Sequence, residues 1–325
     1  SPIYRVTRGI HSMPEPTHAG SYQHGCHTPK LYSVHRPEAK GFRMKLISRL
    51  TLLVACTAPG LLAAAENAPS LLVPAYFYPE DKGITDWQRL TAAASQVSIT
   101  AIINPDSGAG SAYDKDYGKV IGDFKAAGGT VLGYVSTDWG KRNLTSVQTD
   151  IDNYAKWYPV DGLFIDETST DSAGLSYYKN LTNYVHEKNS ALSLMANPGT
   201  IPIEDYIPLF DSVVIYEDPA TNLSSFNPPA YMAKYSAQHF GMLVIDGNKS
   251  VMKQQVAYAA SHNFGYIYVN DRSVRNNEWN GLPAYWEAQV AAVQAISAVP
   301  EPEQWAMLLA GLGLVAGVAR QRLAR

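Results

Sequence analysis

Two apolar runs in this sequence end in carboxylates. Asp161-Gly162-Leu163-Phe164-Ile165 leads into Asp166-Glu167, and Ser212-Val213-Val214-Ile215-Tyr216 leads into Glu217. Moving a carboxylate out of water is costly unless the charge is paired, so a buried strand does not end in an acid without cause. Such acids fit the C-terminal rim of a parallel barrel, where barrel enzymes keep their chemistry. Two neighbouring carboxyl groups, one ionised and one protonated, are the apparatus of glycoside hydrolysis. Side chains alternate along a strand, so Asp166 and Glu167 cannot both face the barrel mouth from a regular strand. Asp166 is expected to face substrate as nucleophile or charge stabiliser. Glu217 is expected to be the acid/base, and Glu167 to hold a neighbour or tune its pKa. A gap of about 5–5.5 Å would allow retention and a wider one inversion, and the sequence leaves this open. A plainer reading also stands: Asp166 and Glu167 could be a helix cap and first-turn charge ahead of Thr168-Ser169-Thr170.

The elements that must carry these acids are legible as eight short apolar runs: 71–78, 97–104, 130–136, 162–166, 192–197, 212–217, 242–246 and 265–270. They are continuous in hydrophobicity rather than alternating, as strands covered on both faces are. Helical patterns separate them, at 87–95, 117–127, 147–158, 172–188, 249–263 and 283–296. Alternating strand and helix predicts an α/β protein with a parallel sheet, a single (β/α)8 TIM barrel over 66–298. The runs end in polar clusters while their beginnings are far less polar. Those ends and the aromatic residues near them nominate a substrate-binding set: Tyr76, Asn104, Asp106, Ser107, Tyr134, Asp138, Trp139, Asn197, Asp246 and Asn270. Trp139 and Trp279 sit in polar loops and are candidate stacking platforms for sugar rings.

The chain has 325 residues, 46% of them hydrophobic, enough for one large core. Met44-Lys45-Leu46-Ile47-Ser48-Arg49 followed by apolar stretches to Ala63-Ala64-Ala65 reads as a signal peptide over 44–65. Leu53-Val54-Ala55-Cys56 also resembles a lipobox. Residues 1–43 then precede a leader and are read as a mis-assigned or disordered extension, which weakens the metal reading of His11, His18, His24, Cys26 and His27. Between residues 66 and 298 lie 15 basic and 25 acidic residues, a formal charge of −10. That balance disfavours nucleic acid and favours neutral or cationic partners. Both cysteines fall outside this segment, so the domain is expected to rely on its core rather than on disulfides. His186, His239 and His262 are scattered, and no metal or other cofactor is expected. His239, just ahead of the seventh strand, could reach the site, though the plainer reading gives it no role there.

Several motifs together resemble the spherulin-4-like glycoside hydrolases over roughly residues 70–290. They are Leu72-Val73-Pro74-Ala75-Tyr76-Phe77-Tyr78-Pro79, Ile102-Ile103-Asn104-Pro105-Asp106-Ser107-Gly108, Val131-Leu132-Gly133-Tyr134-Val135-Ser136-Thr137, 161–167, Asn197-Pro198-Gly199 and Leu282-Pro283-Ala284-Tyr285-Trp286. The resemblance implies a TIM barrel and an endo-acting, retaining α-1,4-N-acetylgalactosaminidase. It puts the family's acidic pair on Asp166 and Glu167 and its third acid on Glu217. Gly108-Ala109-Gly110 departs from a usual Gly-Pro-Gly, and Asp138-Trp139 replaces a small residue plus tyrosine.

The C-terminus, 299–325, resembles a PEP-CTERM sorting tail: Val299-Pro300-Glu301-Pro302, an apolar run from Trp305 to Ala319, then Arg320, Arg322 and Arg325. The resemblance implies export, transient membrane contact through the tail and processing by an exosortase-type enzyme. An amphipathic helix on the domain is the alternative, and the Gly-rich, charge-free run argues against it. The expected protein is a monomeric secreted hydrolase of an α-linked aminosugar exopolysaccharide in the cell envelope or matrix. A non-catalytic glycan-binding barrel and a hydrolase of another polymer remain as alternatives.

Overall fold

The computed structural model describes residues 68–297, so the expected extension, leader and sorting tail lie outside the described residues. Eight parallel strands close into a barrel in sequence order: β1 Ser70–Ala75, β2 Ile99–Ile103, β3 Thr130–Ser136, β4 Gly162–Asp166, β5 Ser193–Asn197, β6 Ser212–Pro219, β7 Phe240–Ile245 and β8 Tyr266–Val269. Closure is made by β1 on β8, with Ser70 opposite Tyr266 and Leu71 opposite Ile267. The strand residues are buried on both faces, as in Leu71, Leu72 and Val73 of β1 and Leu163, Phe164 and Ile165 of β4. Continuous apolar runs are what a sheet between a filled interior and an outer helical layer demands.

Six α-helices make the outer layer: α1 Asp81–Ala94, α2 Lys115–Ala126, α3 Leu144–Trp157, α4 Leu175–Lys188, α5 Lys249–Ser261 and α6 Trp286–Ser297. Among the described residues, none is long and apolar enough to cross a membrane. All six segments read as helical in the sequence are helices. α1 begins six residues earlier than its periodicity indicated, and β1 stops at Ala75 rather than Tyr78. Three helices open on a side-chain cap: Asp114, Asn143 and Asn248 each accept from two backbone N–H groups of the first turn. The loops after β5 and β6 carry only short 3-10 turns, at 204–209, 220–225, 230–234 and 237–239. Pro202 and Pro208 in the first loop, and Pro228 and Pro229 in the second, remove donors that an α-helix needs.

The acids at the two ends of β4 do different work. Asp161, just before the strand, accepts from the Val131 N–H at 2.8 Å and pairs with Lys125 Nζ at 2.5 Å. It ties the bottom of β4 to β3 and α2. Gly162 follows because nothing larger fits: a Cβ there would lie 2.2 Å from the Ser193 carbonyl oxygen of β5. On the outside, Arg89 of α1 holds buried Asp86 at 3.1 Å and Glu287 of α6 at 2.8 Å, joining first helix to last. These ties fix the strand register, and with it where each strand releases its last side chain.

Candidate active site

Backbone conformation at the C-terminal rim is unusual. Ser107, Asp138, Trp139, Glu167 and Asp246 all adopt left-handed φ values between 46° and 55°. They lie just past the ends of β2, β3, β4 and β7. Non-glycine residues hold this conformation only where the surroundings over-determine it, and such places cluster at functional sites. At Glu167 the consequence is direct. β4 ends at Asp166, and the left-handed residue after it breaks the alternation that would have sent the two side chains to opposite faces. The Glu167 carboxylate accepts from Ser136 Oγ of β3 at 2.6 Å. Its carbonyl accepts from the Trp139 N–H at 2.7 Å and Thr137 Oγ1 at 2.9 Å. These bonds secure the turn.

Asn197, the last residue of β5, joins the other two acids. Its Nδ2 donates to Asp166 Oδ1 at 2.8 Å and to Glu217 Oε2 at 2.6 Å. Its Oδ1 accepts from the Gly199 N–H at 3.0 Å, so the amide nitrogen must face the acids. One nitrogen bonded to both oxygens keeps the two carboxyls close enough to act on one bond. Glu217 reaches this position because the register of β6 on β7 shifts between Val214 and Tyr216. Such an irregularity resets the facing of every later side chain, and is common beside active sites.

Tyrosines complete the enclosure. The Tyr134 hydroxyl donates to the Asp166 carboxylate, and the Tyr134 ring meets Tyr76 edge-on with centroids 5.6 Å apart. Burial and the nearby Asp166 charge hold both phenols well above their ordinary range, so they act as neutral donors. Burial raises the Asp166 carboxyl to about 6, against hydrogen bonds from Tyr134, the Glu167 N–H and Asn197 that favour its charged form. Burial and the neighbouring Asp166 charge raise the Glu217 carboxyl to about 7, and the Glu278 charge adds to the rise. Both carboxyls are thus raised toward neutral pH, and two such acids hydrogen-bonded to one amide share their protons as a pair.

The structure thus gathers Asp166, Glu217, Asn197, Tyr134 and Tyr76, with Glu167 alongside. The other expected ligands of substrate lie at the remaining strand ends and on the loops that follow them. Asn104 Oδ1 accepts from the Gly108 N–H at 2.8 Å and shapes the β2 loop that exposes Asp106 and Ser107. Asp138 and Trp139 are exposed on the β3 loop, with Lys141 Nζ 5.6 Å from the Trp139 ring centre. Asp246 is exposed at the end of β7. Asn270 is fully buried, and its amide donates to the Glu278 carbonyl at 2.6 Å, holding the loop after β8.

Two expectations are corrected. Trp279 is no platform: it is 5% exposed and packs 6.1 Å from Tyr268. Its polar sequence neighbours concealed an inward turn. His239 lies at the N-terminal end of β7, away from the rim, with Nδ1 3.1 Å from Ser236 Oγ. Sequence reasoning passed over Ser136 as a partner for Glu167, and over buried Glu278 as a charge acting on Glu217. The Glu278 loop has no periodicity to betray it. Among the described residues, no group of three or more His, Cys, Asp or Glu side chains is spaced to hold a metal ion.

Replacing Asn197 with alanine is expected to lower kcat about a hundredfold while the fold survives, because both acids lose their shared donor and their spacing. Turnover and circular dichroism on the same preparation check this.

The profile of Spherulation-specific family 4 matches residues 70–293, and that of the PEP-CTERM protein-sorting motif matches 298–322. Spherulin-4 of Physarum polycephalum is 32% identical over 253 residues, covering 73% of this chain and 74% of that protein. The crystal structure of Aspergillus clavatus Sph3 in complex with GalNAc superposes with a TM-score of 0.62 at 23% identity, over 70% of this chain and 98% of that one. This last likeness is one of fold. The sorting motif points to export and association with the cell envelope.

Proposed function

The chain belongs to Spherulation-specific family 4, and from that premise we propose that it is a secreted endo-acting glycoside hydrolase. Its substrate is an α-1,4-linked N-acetylgalactosamine/galactosamine exopolysaccharide. The observation that carries the reading is the single Asn197 amide bonded to two buried carboxylates, Asp166 and Glu217, both raised above the usual carboxylate range. In this reaction Glu217 protonates the leaving oxygen while Asp166, oriented by Asn197 and Tyr134, attacks or stabilises the oxocarbenium-like centre on the opposite side. Water then enters, activated by the Glu217 carboxylate just formed, and the product keeps its anomeric configuration. Glu167, held by Ser136, adds negative charge beside the developing cation. The GalNAc found with Sph3 supports the choice of sugar. The sorting tail would hold the enzyme at the membrane until an exosortase-type enzyme releases it to the envelope or matrix.

The test is incubation of purified protein with galactosaminoglycan. New reducing ends are expected, with mass spectra of internal oligosaccharides and an NMR anomeric signal that begins as α. Binding without new ends would instead establish a glycan-binding barrel. An initial β signal would establish inversion.

A further inference from the structure

Several acids of this barrel are paired with a lysine or arginine, as Asp123 is with Lys119, Asp150 with Arg142 and Glu204 with Lys234. At the rim, Asp138, Asp166, Glu217, Asp218 and Asp246 have no lysine or arginine partner among the described residues. A carboxylate held partly out of water without a counter-cation is unfavourable until a ligand supplies one.

One of these acids lines a cavity. Between the loops after β5 and β6 lies a space of about 400 Å³, lined in part by Gly199, Ile201, Tyr216, Asp218, Asn222 and Phe226. That volume is in the range of small-ligand sites. Its aromatic wall is braced: Tyr216 and Phe226 meet edge-on at 5.1 Å, and the Tyr216 hydroxyl donates to the Pro219 carbonyl at 2.8 Å. Asn222 Nδ2 donates to Asp218 Oδ2 at 2.9 Å, fixing the carboxylate. The cavity adjoins the reacting acids, since a Cβ on Gly199 would lie 3.7 Å from Glu217 Oε2. A wall of Ile201, Tyr216 and Phe226 together with the polar Thr200, Asn222 and Ser225 and one fixed carboxylate suits a sugar ring that carries a cation.

We infer that this cavity is a subsite beside the cleavage point for a hexosamine with a free amino group, whose ammonium pairs with Asp218. The inference rests on the glycosidase reading of the same rim, which it deepens by assigning an acetylation pattern to the substrate. The bound polymer is then partly deacetylated, with a free amine at a fixed place relative to each cut.

The experiment measures kcat/KM of wild type, Asp218→Asn and Thr200→Lys on a partly deacetylated galactosaminoglycan and on the same polymer fully re-acetylated. Thr200 also lines the cavity, so lysine there brings a competing cation without touching Asp218. Wild type is expected to prefer the amine-bearing polymer, with mass spectra showing the free amine at one position of the products. Each variant is expected to lower that preference about tenfold, the effect of one charge-assisted hydrogen bond. A preference unchanged in both variants, or absent in wild type, overturns the subsite. If one variant unfolds, the ratio in the other decides. Wild type that cuts neither polymer overturns the glycosidase reading itself, an outcome distinct from cutting both equally.

Discussion

Asp166→Asn and Glu217→Gln are each expected to lower reducing-end release by at least about a thousandfold, while retention of polymer on the protein changes little. Asparagine at 166 keeps the size of the side chain and removes the charge that must meet the oxocarbenium-like centre. Glutamine at 217 keeps the hydrogen-bonding reach and removes the proton to be donated. Glu167→Gln serves as the internal comparison. Its side chain is engaged by Ser136 rather than by the Asn197 bridge, so a loss of about tenfold is expected, through charge alone. Should either Asp166→Asn or Glu217→Gln keep more than a tenth of wild-type turnover, the bridged pair is not the reacting pair. Should Glu167→Gln be the most damaging of the three, the nucleophile has been assigned to the wrong member of the β4 doublet.

The same pair sets the response to pH. The proposed mechanism requires Asp166 ionised and Glu217 protonated. With one carboxyl raised to about 6 and the other to about 7, kcat/KM is expected to trace a narrow bell with its maximum between those values. The flanks belong to the pair as a unit. Stability follows the opposite logic to that of a salt-bridged acid. Both folded-state values lie above the unfolded ones, so the folded protein binds more protons and loses stability as pH rises from about 4 through about 7. Below that window the loss is absent, and above it the loss is complete. Removing the charge should therefore stabilise. Glu217→Gln is expected to raise Tm by about 5 °C at pH 8, corresponding to roughly 2 kcal/mol, and to change it little at pH 4. Thermal unfolding at the two pH values checks this. A variant less stable than wild type at pH 8 would mean that Glu217 is held by favourable contacts rather than kept costly for catalysis.

Much of this protein was legible from its residues. The eight strands and six helices declared themselves because continuous apolar runs and helical spacing are local properties, imposed wherever a strand is covered on both faces. The acids at 166, 167 and 217 stood out because a charge at the end of such a run violates the same local rule. Motif order then identified the family, and the profile over 70–293 agrees.

The tertiary structure alone decided how those residues are arranged. The Asn197 bridge joins β4, β5 and β6, and no local pattern encodes which atom meets which across three strands. The register shift in β6 and the left-handed turn at Glu167 depend on neighbouring strands, yet they aim the two carboxylates. Trp279 turned inward from a loop whose composition looked exposed, and Asn270, at the end of the eighth run, is fully buried, because burial there is set by the closing of the barrel. Periodicity reports how one segment meets water. Acidity, spacing and orientation at a site arise from groups distant in the chain that only closure of the sheet brings within bonding range.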